Sequence, residues 1–238
     1  MLTRLRLAPR LGLAADNRNV LCTRLRPGIT VACRQNQGDL FSLTEVWIRE
    51  CYRLPFDVVP GTLVDLGANI GLTSLWFNKR YQFRKVLAIE PNPSNVTLAR
   101  ENFKVNDVPG KVIQAAVGAN DRTGLFSPHV NSNQGGLGRG ETGYPVQVYS
   151  MNTILDMLTP AERVNLLKVD IEGGEQELFT GDLSWLGTID ALIIEFHPDI
   201  VEYRRLITNI EKCGFRFIRN GTVWPENMDC FVNVRTNK

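Results

Sequence analysis

The segment Val64-Asp-Leu-Gly-Ala-Asn-Ile-Gly71 gathers an acid, two glycines and an asparagine at the end of an apolar run. Read as a strand and a tight turn, it delivers Asp65 and Gly67 to a strand tip and puts Gly71 in the first turn of a helix. Glycine lets the backbone pass close to a ligand because no Cβ intervenes. The next apolar run, Lys85-Val-Leu-Ala-Ile-Glu90, ends in an acid roughly 20 residues on, where a carboxylate can accept hydrogen bonds from both hydroxyls of a ribose. Together these segments predict a nucleoside-type cofactor lying over strand tips. The turn does not read GxGxxG: Gly67 to Gly71 is GxxxG, with Asn69 in the middle. An acid ahead of the first glycine would repel a pyrophosphate but suits an amino-acid ammonium. S-adenosylmethionine is therefore expected, with a nicotinamide cofactor and its oxidoreductase chemistry as the competing class. Ala68 in the same turn and Ala116 at the end of the third apolar run join the candidate cofactor set.

The second constellation is Leu167-Lys-Val-Asp-Ile-Glu-Gly-Gly-Glu175, where Asp170, Glu172 and Glu175 crowd one turn. Alternation places Lys168 and Asp170 on one face of the strand, positioned to neutralise each other. Asp170 is also a candidate cofactor residue, because ligands gather at the strand ends of open α/β sheets. Only two histidines exist, His129 and His197. His197 follows the fifth apolar run, so Asp170, Glu172 and His197 are expected to converge. Three roles stay open for His197. It is a general base with an ordinary pKa near 6.5, a cation ligand beside the two carboxylates, or a structural residue at a strand end. The spacing is no metal signature, and no resident metal is expected. Residues 127–143 hold five glycines and read as a long loop, either an acceptor-contacting element or a plain insertion. His129, Asn131, Asn133 and Tyr144 bracket it as candidate substrate-binding residues.

The elements that must position these groups alternate. Strands are expected near 61–65, 85–90, 111–117, 164–170, 191–195, 215–218 and 229–234. Helices are expected over 70–78, from Asn92-Pro93 onward, and around Tyr203, Leu206, Ile207 and Ile210, with Gly214 as a stop. Strand–helix alternation argues for an α/β fold with a parallel or mostly parallel sheet. Residues 1–60 show no clean periodicity beyond a possible helix at 41–52, and are read as an N-terminal extension or cap ahead of a domain at 61–238.

VDLGANIG, AIEPNPSNVTLARENF and LLKVDIEGGEQELF resemble successive motifs of the FkbM family of S-adenosylmethionine-dependent methyltransferases. The resemblance spans about residues 62–200, and KVDIEGGE is its most specific block. It implies a class I methyltransferase fold, Rossmann-like, with a seven-stranded sheet, helices on both faces and an antiparallel last strand. It carries over Asp65, Gly67, Asn69, Gly71, Glu90 and Asn92 as cofactor residues. It further implies a small-molecule acceptor methylated on a hydroxyl of a sugar or polyketide-type metabolite, or alternatively on an amine.

Composition is compatible with this reading. At 238 residues, 43% hydrophobic and 22% charged, the chain has the composition of an ordinary globular domain. A net charge of +2 argues against a strongly basic nucleic-acid binder. The charge is uneven: residues 1–53 carry nine arginines against four acids, Asp16, Asp39, Glu45 and Glu50. Leu-rich residues 1–16 contain Arg4, Arg6 and Arg10 but no serine, so a transit peptide is disfavoured, and the arginines are expected near the cofactor cleft or in solvent. Five scattered cysteines without CxxC pairing predict reduced thiols and a cytoplasmic location, and no apolar run is long enough to suggest a membrane partner.

Overall fold

Thr62-Leu-Val-Asp-Leu66 is buried at every residue, as a strand covered on both faces must be. The computed structural model describes residues 4–5, 20–25, 28–128, 135–138, 142–159, 162–219 and 228–235. In chain order these contain β1 (Arg4–Leu5), β2 (Val20–Leu25), β3 (Ile29–Arg34), α1 (Gln37–Trp47), β4 (Thr62–Leu66), α2 (Leu72–Tyr81) and β5 (Lys85–Glu90). Next come α3 (Pro93–Val105), β6 (Gly110–Gln114), β7 (Ala116–Val117), β8 (Arg122–Pro128), β9 (Gly135–Leu137), β10 (Tyr144–Tyr149) and α4 (Met151–Asp156). The last are β11 (Val164–Val169), α5 (Glu175–Leu178), β12 (Ala191–Glu195), α6 (Tyr203–Lys212), β13 (Phe215–Arg219) and β14 (Met228–Asn233).

The main sheet has seven strands in the order β13-β14-β12-β11-β4-β5-β6. The five from β12 to β6 pair in parallel, and β14 runs antiparallel to both its neighbours. Alternation along each strand feeds two cores. Leu63 and Leu166 face α2 and α3, with Leu75, Trp76, Val96 and Phe103. Val64, Leu66, Leu167 and Val169 face the other side, against Ile154, Leu178, Leu206 and Ile210 of α4, α5 and α6. Each such side chain, fully buried, is worth about 1.5–3 kcal/mol. This is the class I methyltransferase arrangement.

Three sequence expectations need correction. Residues 111–117 are not one strand: β6 stays in the main sheet, while β7 leaves to pair with β10. Residues 127–143 are not all loop, because β8 runs to Pro128 and β9 occupies Gly135–Leu137 in a second sheet of order β7-β10-β8-β9. Glycine is a poor strand former, and its abundance there hid β9. The helix read at 41–52 is shifted toward the N-terminus, because the Asn36 side chain accepts from the Asp39 N–H and caps α1 at Gln37.

Within residues 1–60, β2 and β3 form a hairpin carried on α3 by two asparagines one helical turn apart. Asn102 Oδ1 accepts from the Ala32 N–H at 2.7 Å, and its Nδ2 donates to the Ala32 and Ile70 carbonyls at 3.0 and 2.8 Å. Asn106 repeats the pairing on Thr30, at 2.9 and 2.7 Å. Each carboxamide acts as a peptide group continuing the ladder. Arg34, one of the front-loaded arginines, is spent on Asp39 (2.9 Å) and Asn95 (2.5 Å), which ties β3 to α1 and α3. Asn102→Ala strands the peptide groups of Ala32 and a carbonyl of Ile70 in a buried setting. It is expected to cost about 2–3 kcal/mol in urea unfolding and to make the hairpin sensitive to limited proteolysis.

Candidate active site

Because β4, β5 and β11 are parallel neighbours, the turns after them meet at one edge of the sheet. They open onto a cavity of about 640 Å³. Gly67, Ala68 and Asn69 line it after β4, Glu90 and Asn92 at and after the tip of β5, Ala116 from β7, and Asp170, Glu172 and His197 after β11 and β12. The expected convergence of strand tips four and five is present. A lid is added by the second sheet, through Phe126 and Gly135–Leu137, and a wall by Phe41, Ser42, Glu45 and Tyr52 of the N-terminal segment.

The cradle is shaped by backbone. Gly67 has φ +74°, and a Cβ there would lie 1.7 Å from the Asp170 carbonyl oxygen, so this position admits glycine alone. Its N–H and that of Ala68 both donate to the Ile89 carbonyl at 3.0 Å, holding the turn on β5. Asn69, at φ +50°, turns its own N–H onto Glu90 Oε2 at 2.8 Å. Glu90 Oε1 accepts from the Asn92 N–H at 2.9 Å and from Asn95 Nδ2 at 3.3 Å. The carboxylate is thus clamped in one orientation at the cavity wall. Burial pushes Glu90 up to about 7, against the pull of these donors. Asn92 caps α3 by accepting from the Ser94 N–H at 3.0 Å.

Asp65 sits differently from expectation. It is fully buried and absent from the cavity wall, with Oδ2 accepting from Ser74 Oγ at 2.6 Å and Oδ1 3.1 Å from Lys168 Nζ. Lys168 Nζ also donates to the Gly67 carbonyl at 2.7 Å and lies 3.6 Å from Asp170 Oδ2. Burial would lower the Lys168 pKa, but Asp65 and Asp170 hold it above the ordinary lysine value. Asp65 therefore supports the cradle from below, through Lys168, rather than facing a ligand ammonium. Gly71 is likewise off the wall, starting α2 against Ala99.

Sequence reasoning missed Tyr52, whose hydroxyl donates to Asp170 Oδ2 at 3.2 Å. Nothing in its spacing signals this, because the contact spans 118 residues. Burial, with Asp170 beside it, pushes its phenol well up, so it remains a donor. Glu45 and Glu195 were also missed. Burial, then Asp170, raises Glu195 to about 8. His197 departs from the ordinary value. Burial lowers its pKa, but a hydrogen bond from Nδ1 to Glu175 Oε1 at 3.2 Å and the charges of Asp170, Glu175 and Glu172 outweigh this and bring it to about 9. Nε2 lies 3.5 Å from Glu172 Oε2. Tyr144 is not on the cavity wall; it packs on Phe126 at 5.6 Å between ring centroids. His129, Asn131 and Asn133 lie outside the described residues. No arginine lines the cavity among the described residues; Arg24, Arg34, Arg49 and Arg53 are off its wall.

A family profile described as the methyltransferase FkbM domain matches residues 65–217. The chain belongs to the FkbM methyltransferase family. Methyltransferase 1 of Beauveria bassiana is similar to this FkbM-family enzyme at 28% identity, over 80% of this chain and 86% of that one. The 31-O-demethyl-FK506 methyltransferase FkbM of Streptomyces tacrolimicus is 30% identical, over 73% and 80%. The crystal structure of methyltransferase FkbM from Methylobacillus flagellatus superposes with a TM-score of 0.53 at 18% identity, covering 75% of this chain and 44% of that one. The match sets aside the oxidoreductase reading. Among the described residues, no helix is long and apolar enough to cross a membrane.

Proposed function

We propose that this FkbM-family methyltransferase uses S-adenosylmethionine to methylate a hydroxyl of a small polar metabolite, a sugar or a polyketide-type natural product. The observation that carries the reading is one cavity lined both by the turn at Gly67–Asn69 with Glu90 and by Asp170, Glu172 and His197. The cradle suits the cofactor: Glu90 Oε1 is occupied by Asn92 and Asn95, while Oε2 accepts only the Asn69 N–H and keeps a lone pair for a ribose hydroxyl, and Gly67 leaves the space a Cβ would fill. When bound, the cofactor supplies a methyl group already activated on a sulfonium.

The remaining work belongs to this chain. Asn69, Glu90 and Asn92 orient the nucleoside, and Ala68 and Ala116 line its path. Asp170, held through Oδ2 by Tyr52 and Lys168, forms the boundary between cofactor and acceptor. Asp170, Glu172 and His197 position the acceptor hydroxyl, and a carboxylate of the set accepts its proton, because His197 at about 9 already carries one at neutral pH. Residues 1–60 serve as a cap through Phe41, Ser42, Glu45 and Tyr52, while Phe126 and β9 exclude water from above. Phe41 and Ile200, 42% and 50% exposed, give the cavity mouth an apolar rim that suits a hydroxyl on a carbon skeleton. The family member named for 31-O-demethyl-FK506 supports an oxygen acceptor. One observation favours the second reading, an amine acceptor: Glu45, Asp170, Glu172 and Glu195 outnumber Lys168 and His197 on the cavity wall around Glu195.

A labelled-methyl assay over hydroxylated sugars, polyketide-type metabolites and amino sugars tests the assignment, with the methyl located by NMR. Transfer to nitrogen alone would replace the hydroxyl reading. His197→Ala is expected to lower kcat by roughly 10²–10⁴-fold while S-adenosylhomocysteine affinity is unchanged. Near wild-type kcat would remove His197 from the chemistry.

A further inference from the structure

We propose that Asp170, Glu172 and His197 form a binding site for one divalent cation of the Mn²⁺ type. One ligand atom from each residue lies within 4.8 Å of the others. Around a cation with ligand bonds of about 2.1 Å, adjacent ligands stand about 3 Å apart. His197 Nε2 and Glu172 Oε2, at 3.5 Å, need a closure of only about 0.5 Å, and the Asp170 oxygen starts within 4.8 Å of both. Two carboxylates with one imidazole match a hard cation that tolerates nitrogen. The set comes from two turns, after β11 and after β12, whose convergence the sequence suggested but whose spacing is no metal signature.

The surroundings are those of a ligand set and not merely of clustered acids. Glu175 is fully buried, and its Oε1 holds His197 Nδ1 at 3.2 Å while also accepting from the Ile171 N–H at 3.1 Å. A carboxylate on one imidazole nitrogen, with the other nitrogen turned to the cavity, is the arrangement that fixes the tautomer of a metal-binding histidine. Asp170 is held in the same way. Tyr52 and Lys168 both engage Oδ2, and Oδ1 accepts no hydrogen bond from the described residues. Glu195, at the tip of β12, lines the same cavity, and its side chain accepts no hydrogen bond among the described residues. A divalent cation would engage both carboxylates and the imidazole nitrogen together.

Positions left open on such a cation face the cavity, where an acceptor hydroxyl would coordinate. That part rests on the hydroxyl-methylation reading; the site itself does not. The test is titration of the chelator-stripped full chain with MnCl₂, read by calorimetry and by the EPR signal of free Mn²⁺. One saturable site per chain is expected. Glu172→Gln and His197→Ala should each weaken it by at least about tenfold, and Glu175→Gln, which touches no cation, by about 10–100-fold. Circular dichroism and S-adenosylhomocysteine binding report whether each variant is folded. Absence of saturable binding overturns the site, as does binding indifferent to folded Glu172→Gln and His197→Ala. Saturable Mn²⁺ binding without methyl transfer to any hydroxyl upholds the site and removes the acceptor reading. Full hydroxyl methylation by a chain that binds no Mn²⁺ does the reverse.

Discussion

Glu90→Gln is expected to weaken S-adenosylhomocysteine binding by roughly 30–100-fold, about 2–3 kcal/mol, in isothermal titration. Two effects combine. The charged acceptor for a ribose diol is lost, and an amide nitrogen must face a backbone N–H, because both oxygens now accept one, from Asn69 and Asn92. A pH signature accompanies the loss. Burial raises Glu90 to about 7 in the free protein, whereas hydroxyl donors from the ligand favour its charged form. Binding therefore expels a proton below that pH, and affinity rises as pH climbs through about 7. The charge acting on Glu90 is that of Lys168, which lowers this pKa, while Tyr144, off the cavity wall, stays neutral across the range. Glu90→Gln should flatten the profile between pH 6 and 8. An unchanged slope in the variant would assign the titration to another group.

Lys168→Met is expected to destabilise the fold by about 3–5 kcal/mol, a fall in Tm of about 6–20 °C. Methionine matches the volume but leaves Asp65, fully buried, without its cation at 3.1 Å. It also releases the Gly67 carbonyl and lets Asp170 drift, so cofactor affinity should fall in parallel. Asp65→Asn in the same chain should recover part of the stability, since the uncompensated buried charge is then gone. A loss below 1 kcal/mol by chemical denaturation, or no recovery in the double variant, would show that Lys168 does not hold the two carboxylates.

Much of this was legible in the chain because it is local. Apolar runs of strand length separated by capped helices specify a parallel α/β sheet; Asn92-Pro93 starts α3 and Gly214, at φ +96°, follows the end of α6, as their conformational preferences require. The cradle was legible for the same reason. Glycine and acid at the tip of one buried strand, and an acid at the tip of the next, become neighbours as soon as the two strands pair in parallel. The second sheet was not legible, because three residues of β9 carry no periodicity and two are glycines.

Residue types and spacing by themselves determined the class of fold, the turn at Gly67 with Glu90 beside it and the residues crowding the turn after β11. Only the tertiary structure decided which of them line the cavity. It withdrew Asp65 beneath Lys168, set Glu175 behind His197 and brought Tyr52 across 118 residues to Asp170. The physical reason is that a charged side chain in a buried layer must find its partner wherever packing places one. That choice is made between elements distant in sequence, after the local pattern has done its part.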